Sequence, residues 1–359
     1  MNIFGAVTGS FSPDGVYLRA YVYQHGVITD IGTLGGPDAE AFGMNDLGMI
    51  TGFADLANGN DSAFLYSNGT MKNLGGFGGT YGEGNDINDL DVVAGDSNLT
   101  GDATYHAFLW EKGSLKDLGT LGGPNSLAIG VNVFGETTGR ADLPGFTADG
   151  DPVSHAFIYS HGKMSDIGLG AGAESDYSEG YRINDLGEVT GTAHFKDNTE
   201  FHAFAYRASR LVDLGTLGSG VNSHGYGINN LGQIVGRSTL VPNPDLDDVL
   251  DPYDAFLYQD GSMYDLNSLI ADDDPLKSYV QLTAAWAITD FGWIAAEGID
   301  VRTGLYQGYL LKTVPRHDPW ILDKTFSAPR PASRFAHTQL SQHSWRGRVS
   351  AHDKVLGRP

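Results

Sequence analysis

The sequence contains no cysteine. A disulfide framework, a thiolate zinc site and a cysteine nucleophile are therefore all excluded. It is also poor in charge: only 18% of its residues are Asp, Glu, Lys or Arg, below the usual quarter or so. Positive charge is the scarcer sign, with 22 Lys plus Arg against 44 Asp plus Glu, a net of −22. No apolar run approaches the roughly 18 residues of a membrane-crossing helix, and Met1 to Ser10 has neither the basic nor the apolar region of an export signal. The familiar catalytic spellings are missing as well. There is no Gly-x-Ser-x-Gly elbow, His-Glu-x-x-His helix, P-loop or dinucleotide glycine fingerprint, so serine-hydrolase, zinc-protease and nucleotide chemistry have no local support.

What the chain has in excess is glycine, 50 of 359 residues, about twice ordinary usage and the mark of many tight turns. Its charge is also unevenly placed. Residues 312–359 hold nine basic residues and three acids, leaving 13 basic against 41 acidic residues, a net of −28, in the part before them. Such a field repels phosphate backbones and anionic lipid and favours divalent cations, so nucleic acid is not an expected partner.

Self-similarity is the strongest signal. An anchor Asn-x-x-Gly-x-x-x-Gly begins at Asn2, Asn45, Asn132, Asn184 and Asn229, with looser copies at Asn88, where Asp91 replaces the first Gly, and at Thr289; the starts step by 43, 43, 44, 52, 45 and 60 residues. A period of this size means a solenoid or a propeller. A variable loop follows each anchor, then a second segment: Ala20-Tyr-Val-Tyr23, Ser62-Ala-Phe-Leu-Tyr66, His106-Ala-Phe-Leu-Trp110, His155-Ala-Phe-Ile-Tyr159, His202-Ala-Phe-Ala-Tyr206 and Asp254-Ala-Phe-Leu-Tyr258. A third ends in Asp-Leu-Gly or a near equivalent, as at Asp117-Leu-Gly119, and a Gly-rich stretch leads to a fourth before the next anchor. The segments are short, rich in Val, Ile, Phe, Tyr and Thr, and bounded by Asn-Asp, Gly-Gly and Gly-Pro, so they predict strands. Four antiparallel strands in some 44 residues is the size of a propeller blade. The expected fold is all-β, a β-propeller of seven four-stranded blades, or six if the termini share one. Its domain is residues 1–311. The Pro-containing basic segment 312–359 loses the period and is expected to be a disordered extension.

These residues resemble the HAF-repeat family of bacterial extracellular repeat proteins, named for the His-Ala-Phe segment. The resemblance spans roughly residues 2–311 and is weakest in the first and last copies. It implies a β-propeller-like fold and an extracellular or periplasmic home, and no particular reaction. Because Met1 abuts an anchor, the natural protein is expected to begin upstream, with its export signal there.

The repeated His106, His155 and His202 suggest a metal cluster, but equivalent positions on successive blades form a ring rather than converge, and Ser62 and Asp254 fill the same slot. A structural role is expected, with a hydrogen bond to a neighbouring backbone group. The anchor asparagines are expected to be turn residues, and Phe64, Phe108, Phe157, Phe204 and Phe256 to pack between blades. The loops after the anchors collect acids, above all Asp149-Gly-Asp151 and Asp245-Leu-Asp247-Asp248-Val-Leu-Asp251. Crowded carboxylates on equivalent loops suit Ca2+, which makes Asp149, Asp151, Asp245, Asp247, Asp248 and Asp251 the expected ligands. Two functions follow. The preferred one is a calcium-dependent hydrolase of small lactones or esters, by fold-level analogy with paraoxonases and gluconolactonases. Its general base is the unrepeated His194 or His224. The alternative is a non-catalytic extracellular module binding a glycan, peptide or surface polymer, for which 17 Tyr and 5 Trp supply stacking surfaces. A monomer is assumed in both.

Overall fold

The computed structural model describes residues 1–13, 15–147, 150–168, 177–195, 200–240, 253–313 and 320–326. Seven antiparallel sheets follow one another along the chain. They are blade 1 (Val7–Phe11, Arg19–Gln24, Val27–Asp30), blade 2 (Gly35–Met44, Ile50–Leu56, Asp61–Ser67, Thr70–Gly75), blade 3 (Gly78–Ile87, Val93–Leu99, Tyr105–Glu111, Ser114–Asp117) and blade 4 (Ser126–Val131, Thr137–Phe146, Pro152–Ser160, Lys163–Asp166). Then come blade 5 (Ser178–Ile183, Val189–Phe195, Glu200–Arg207, Arg210–Asp213), blade 6 (Ser223–Ile228, Ile234–Thr239, Tyr253–Gln259, Ser262–Asp265) and blade 7 (Val280–Ile288, Trp293–Asp300, Leu305–Thr313, Trp320–Phe326). Each strand pairs with the next in sequence, and the first strands of blades 2 to 7 pack on one another around a central axis. This is a seven-bladed β-propeller, and the six-bladed alternative is set aside. Blade 1 has three strands among the described residues, its anchor strand being innermost. Blade 7 takes its outermost strand from Trp320–Phe326, so sheet structure continues past residue 311 into the Pro-containing segment. Among the described residues no helix is long and apolar enough to cross a membrane.

The anchor is the turn between the first and second strands. In blade 2, Asn45 Oδ1 accepts the Met49 amide at 2.9 Å, while Asn45 Nδ2 donates to the Asn88 carbonyl of blade 3 at 3.0 Å. The same reach to the next blade recurs from Asn2 (3.5 Å), Asn88 (2.8 Å), Asn132 (3.1 Å), Asn184 (3.0 Å) and Asn229 (3.1 Å, to Thr289). These asparagines are turn residues, as expected, and also inter-blade ties. The anchor's first Gly supplies the positive φ, 77° at Gly48 and 75° at Gly187, and Asp91 itself adopts 63° where it replaces that Gly. The second Gly is required for close approach instead. A Cβ on Gly52, Gly139 or Gly236 would run into the carbonyl oxygen of Glu40, Leu127 or His224 on the first strand. The third anchor residue is large and apolar in all seven copies yet faces solvent: Phe4, Leu47, Leu90, Phe134, Leu186, Leu231 and Phe291 are 64–73% exposed.

The Ala-Phe pair fills the space between blades. Phe64, Phe108, Phe157, Phe204 and Phe256 are all fully buried. Phe157 of blade 4 packs with Ala107 and Leu118 of blade 3, and Phe204 of blade 5 with Ala156 and Ile167 of blade 4. Small and large residues thus interlock from one blade to the next, and the apolar residue of Asp-Leu-Gly closes the same core.

The repeated histidines are structural, but their partner is a side chain rather than the expected backbone group. Nδ1 of His106, His155 and His202 lies 2.9–3.0 Å from both carboxylate oxygens of Asp117, Asp166 and Asp213 on the outermost strand. Each carboxylate also accepts the amide two residues on, from Gly119, Gly168 and Gly215 at 2.7–2.8 Å. Where the pair changes, it changes on both sides: Arg19 with Asp30 at 3.0 Å, and Ser62 with Asn73 at 2.7 Å. In blade 6 Asp254 takes the slot, and burial, with the Asp265 charge behind it, raises its pKa although Gln281 donates to it. Phe157→Ala is expected to cost about 3–5 kcal/mol in urea unfolding through the cavity it leaves. His155→Ala, which removes a pair whose Asp166 carboxylate is 39% exposed, is expected to cost less than about 1 kcal/mol.

Candidate functional site at the upper mouth

The loops after the anchor strands and the connections between blades emerge at one end of the ring of sheets, called here the upper end; the anchor turns lie at the lower end. In the upper half of the inner wall one pair of positions escapes the repeat. The residue after the anchor's second Gly is Ser10, Phe53, Asp96, Arg140, Thr192, Arg237 or Glu297. It stands opposite Glu40, Glu83, Leu127, Glu179 or His224 in blades 2 to 6. One step lower each first strand carries a bulge, which adds one residue: Phe42, Asn85, Ile129, Tyr181, Tyr226 or Trp286. A bulge re-aims its extra side chain, and these residues form an inner layer whose chemistry differs from blade to blade.

Between blades 4 and 5 the layer is ionic. Arg140 Nε lies 3.6 Å from Glu179 Oε1, with the two side chains 7% and 1% exposed. Tyr177 Oη donates to Glu179 Oε2 at 2.6 Å, the guanidinium stands over the Tyr177 ring at 5.7 Å, and Arg140 Nη2 reaches Tyr105 Oη at 3.5 Å. Burial works against the Arg140 charge, but the Tyr105 and Tyr177 hydroxyls together with Glu179 and Asp142 outweigh it and raise its pKa. Burial, reinforced by Glu179, drives the Tyr177 and Tyr181 hydroxyls well above the ordinary tyrosine range, so both stay neutral donors. Blade 3 repeats part of the motif, Tyr81 Oη donating to Glu83.

Over blades 5 to 7 the layer is aromatic. His194 pairs across the sheet with Phe201, ring centroids 4.0 Å apart, and Tyr177 stands 5.7 Å from His194. His224, 4% exposed, lies 6.2 Å from Phe201 and 6.1 Å from each of Tyr226 and Tyr253. Tyr226 stacks on Trp286 at 4.5 Å, and the Arg237 guanidinium covers Tyr253 at 4.1 Å. The two unrepeated histidines are therefore brought to one neighbourhood, on either side of Phe201.

Of the six expected calcium ligands, only Asp151 belongs to the described residues; Asp149, Asp245, Asp247, Asp248 and Asp251 lie outside them. Asp151 is exposed; its carbonyl accepts the Thr147 amide at 2.7 Å and its own amide donates to Thr147 Oγ1 at 3.2 Å. Among the described residues no three His, Asp or Glu side chains converge as a metal site. Carboxylates do crowd at the upper end of blade 2. Burial, then a hydrogen bond and charge repulsion from its cross-strand partner Asp55, with Asp38 and Glu83 adding to it, push Asp61 up to about 7. Sequence reasoning missed Arg140, Glu179, Tyr177 and Arg237. The signal was the one position after each anchor that varies while its neighbours hold constant.

The geometry defines a class, a β-propeller with a chemically varied inner layer. The chain matches no protein-family model and no curated protein sequence. Among solved structures it is similar to the β-propeller domain of the Trilobed protease from Pyrococcus furiosus, described as having an open velcro topology. The likeness has a TM-score of 0.52 at 8% identity and covers 86% of this chain and 91% of that one. At that identity the likeness supports the fold alone.

Two outcomes check the electrostatics. Arg140→Met is expected to lower stability by about 3 kcal/mol, because it strands Glu179 buried and uncompensated; urea unfolding reads this directly. Asp61 binds a proton in the folded state that the unfolded chain has already lost, so stability falls as pH rises from about 4 through 7. Asp61→Asn should match the wild type near pH 4 and exceed it at pH 8 by about 1 kcal/mol, once solvent screening of the half-exposed pair is discounted.

Proposed function

We propose that the protein is a ligand-binding β-propeller whose site is the upper mouth over blades 4 to 7, and that its ligand is a glycan or similar polyhydroxylated polymer. The supporting observation is the confinement of variation: the inner layer departs from the repeat while the packing and turn positions around it do not. Phe201 and Trp286 are the partly exposed rings, backed by the buried Tyr226 and Tyr253, and Arg140, Glu179 and Arg237 supply buried charges behind them, the mix of apolar wall and few polar groups that small-ligand sites use. The resemblance to HAF-repeat proteins supports an extracellular or periplasmic setting, where such polymers occur. The test is calorimetry against a panel of neutral and acidic oligosaccharides. Trp286→Ala and Phe201→Ala should each weaken binding roughly tenfold or more, as loss of a stacking anchor does. Binding unchanged in both variants, or none across the panel, counts against the reading.

A second reading is favoured by the placement of His194 and His224 on either side of Phe201. In it the protein is a calcium-dependent hydrolase of small lactones or esters, with one of these histidines taking the proton from the attacking water. In sequence, the acidic segment carrying Asp245, Asp247, Asp248 and Asp251 precedes Tyr253, whose ring lies 6.1 Å from that of His224. With Asp149 and Asp151 it would hold a calcium ion that supplies Lewis acidity. Turnover of a lactone and ester panel should then require Ca2+, cease with chelator, and fall at least about a hundredfold in His194→Ala or His224→Ala. Turnover indifferent to chelator, or none with Ca2+ supplied, removes it.

A further inference from the structure

At the opposite end of the propeller, the turn geometry leaves one residue unexplained. The anchor Asn, or Thr289 in the last copy, and the positive-φ Gly, or Asp91 in the third, shape the turn, and the third residue contributes its backbone amide to Asn Oδ1, at 3.0 Å for Leu90 and Leu186 and 3.1 Å for Phe134 and Leu231. Any polar side chain would serve there. All seven copies nevertheless carry Leu or Phe, exposed to water. Single exposed apolar residues are ordinary, but a contiguous set is not. Here the residues stand on turns that abut in series, because each anchor Asn from Asn2 to Asn229 is bonded to the carbonyl of the next anchor at 2.8–3.5 Å.

The second anchor residue gives this crown a sign. Asp46, Asp89, Asp185 and Asp290 sit beside the apolar tips, each accepting the backbone amide of the preceding blade's turn at 2.7–3.1 Å. Glu136 and Glu188 follow in the same turns; the cations at this end include Arg182, whose Nη1 donates to the Ile129 carbonyl, and Lys112 and Lys116 of the cleft between blades 3 and 4. A cleft of about 710 Å³ between blades 3 and 4 opens next to Leu90 and Phe134; its walls include Val92 and Tyr159, with Glu136 and with Lys116, which lies over Tyr159 at 5.1 Å.

We propose that this lower crown is a docking surface for a basic polypeptide segment bearing apolar side chains. The carboxylates take the lysine or arginine groups, while the Leu and Phe tips, with the cleft, take the apolar groups. Charge complementarity selects this occupant. A second copy would bring one set of carboxylates against another, and an anionic bilayer would meet the same repulsion.

The test uses a short amphipathic peptide of leucine and lysine, followed by fluorescence anisotropy at low and high salt, and a serine and lysine peptide of equal charge as its comparison. The leucine peptide should bind the protein at least about tenfold more tightly than the serine peptide. The triple variant Leu47→Ser, Leu90→Ser, Leu231→Ser should erase that difference, whereas Val27→Ser, an exposed apolar residue on the outer strand of blade 1, should not. Asp89→Asn with Asp290→Asn should weaken both peptides and flatten the salt dependence. That pair leaves the turns intact, because Asn230 already fills the same position in blade 6 and accepts the Asp185 amide at 2.8 Å. Thermal melting of each variant confirms folding. Equal binding of the two peptides, or a leucine-peptide preference that survives the triple variant, overturns the proposal. So does an apolar crown that mediates only binding to anionic vesicles or only self-association in sedimentation.

Discussion

The hydrogen bond from one anchor asparagine to the carbonyl of the next anchor is the interaction on which the architecture turns. Each Asn uses its oxygen to close its own hairpin and its amide to hold the neighbouring one, six times in succession from Asn2 to Thr289. One such bond is worth only about 1 kcal/mol net. Its consequence lies in geometry, because a side chain that must satisfy two blades fixes the height at which they meet. With that height set, Gly52 and its counterparts bring the first two strands close, and Phe64, Phe108, Phe157, Phe204 and Phe256 land against the alanines of the preceding blade. Repetition here is a packing requirement, since the same contact must be made at the same level in every blade.

That requirement divides the molecule. Outer and lower positions carry the ties, the aromatic core and the His–Asp pairs, and they repeat. The upper inner wall is free of those duties, so Arg140, Glu179, His224, Arg237 and Trp286 can differ without disturbing the ring. A buried ion pair such as Arg140 with Glu179 adds little to stability over an apolar pair of the same shape. It stands among other buried polar groups of the inner wall, Glu83, Asp96, His224 and Arg237. The lower crown is the converse case, where a strictly repeated position carries apolar groups that the turn itself does not need.

Much of the fold was legible in the chain. The anchors, the Ala-Phe segments and Asp-Leu-Gly recur in fixed order, so the four-stranded blade, the strand order and a count of seven or six blades follow from spacing, while Ser62 and Asp254 in the same slot mark His106, His155 and His202 as structural. Their partners are marked in the sequence as well: Arg19 with Asp30 and Ser62 with Asn73 change in step, as residues in contact do. Blade 7's outer strand was not legible, because Trp320–Phe326 lacks the motif and sits in a stretch of altered composition. The inner layer was hidden for a different reason. Its members lie one or two per blade, far apart in sequence, and only the ring brings Arg140 to Glu179 or His194 and His224 to Phe201. The acidic loops point to the rim, whereas the buried Arg140–Glu179 pair stands inside it.

The role given to the anchor asparagines can be measured by native-state hydrogen exchange at the amides of Val92, Glu136, Glu188 and Gln233, each of which donates to an anchor Asn Oδ1 at 2.9–3.0 Å. If the ties join the blades into one cooperative unit, these amides exchange only through global unfolding, with a single free energy equal to that of the sheet cores. A ladder of separate, lower free energies, one for each blade, would contradict the account.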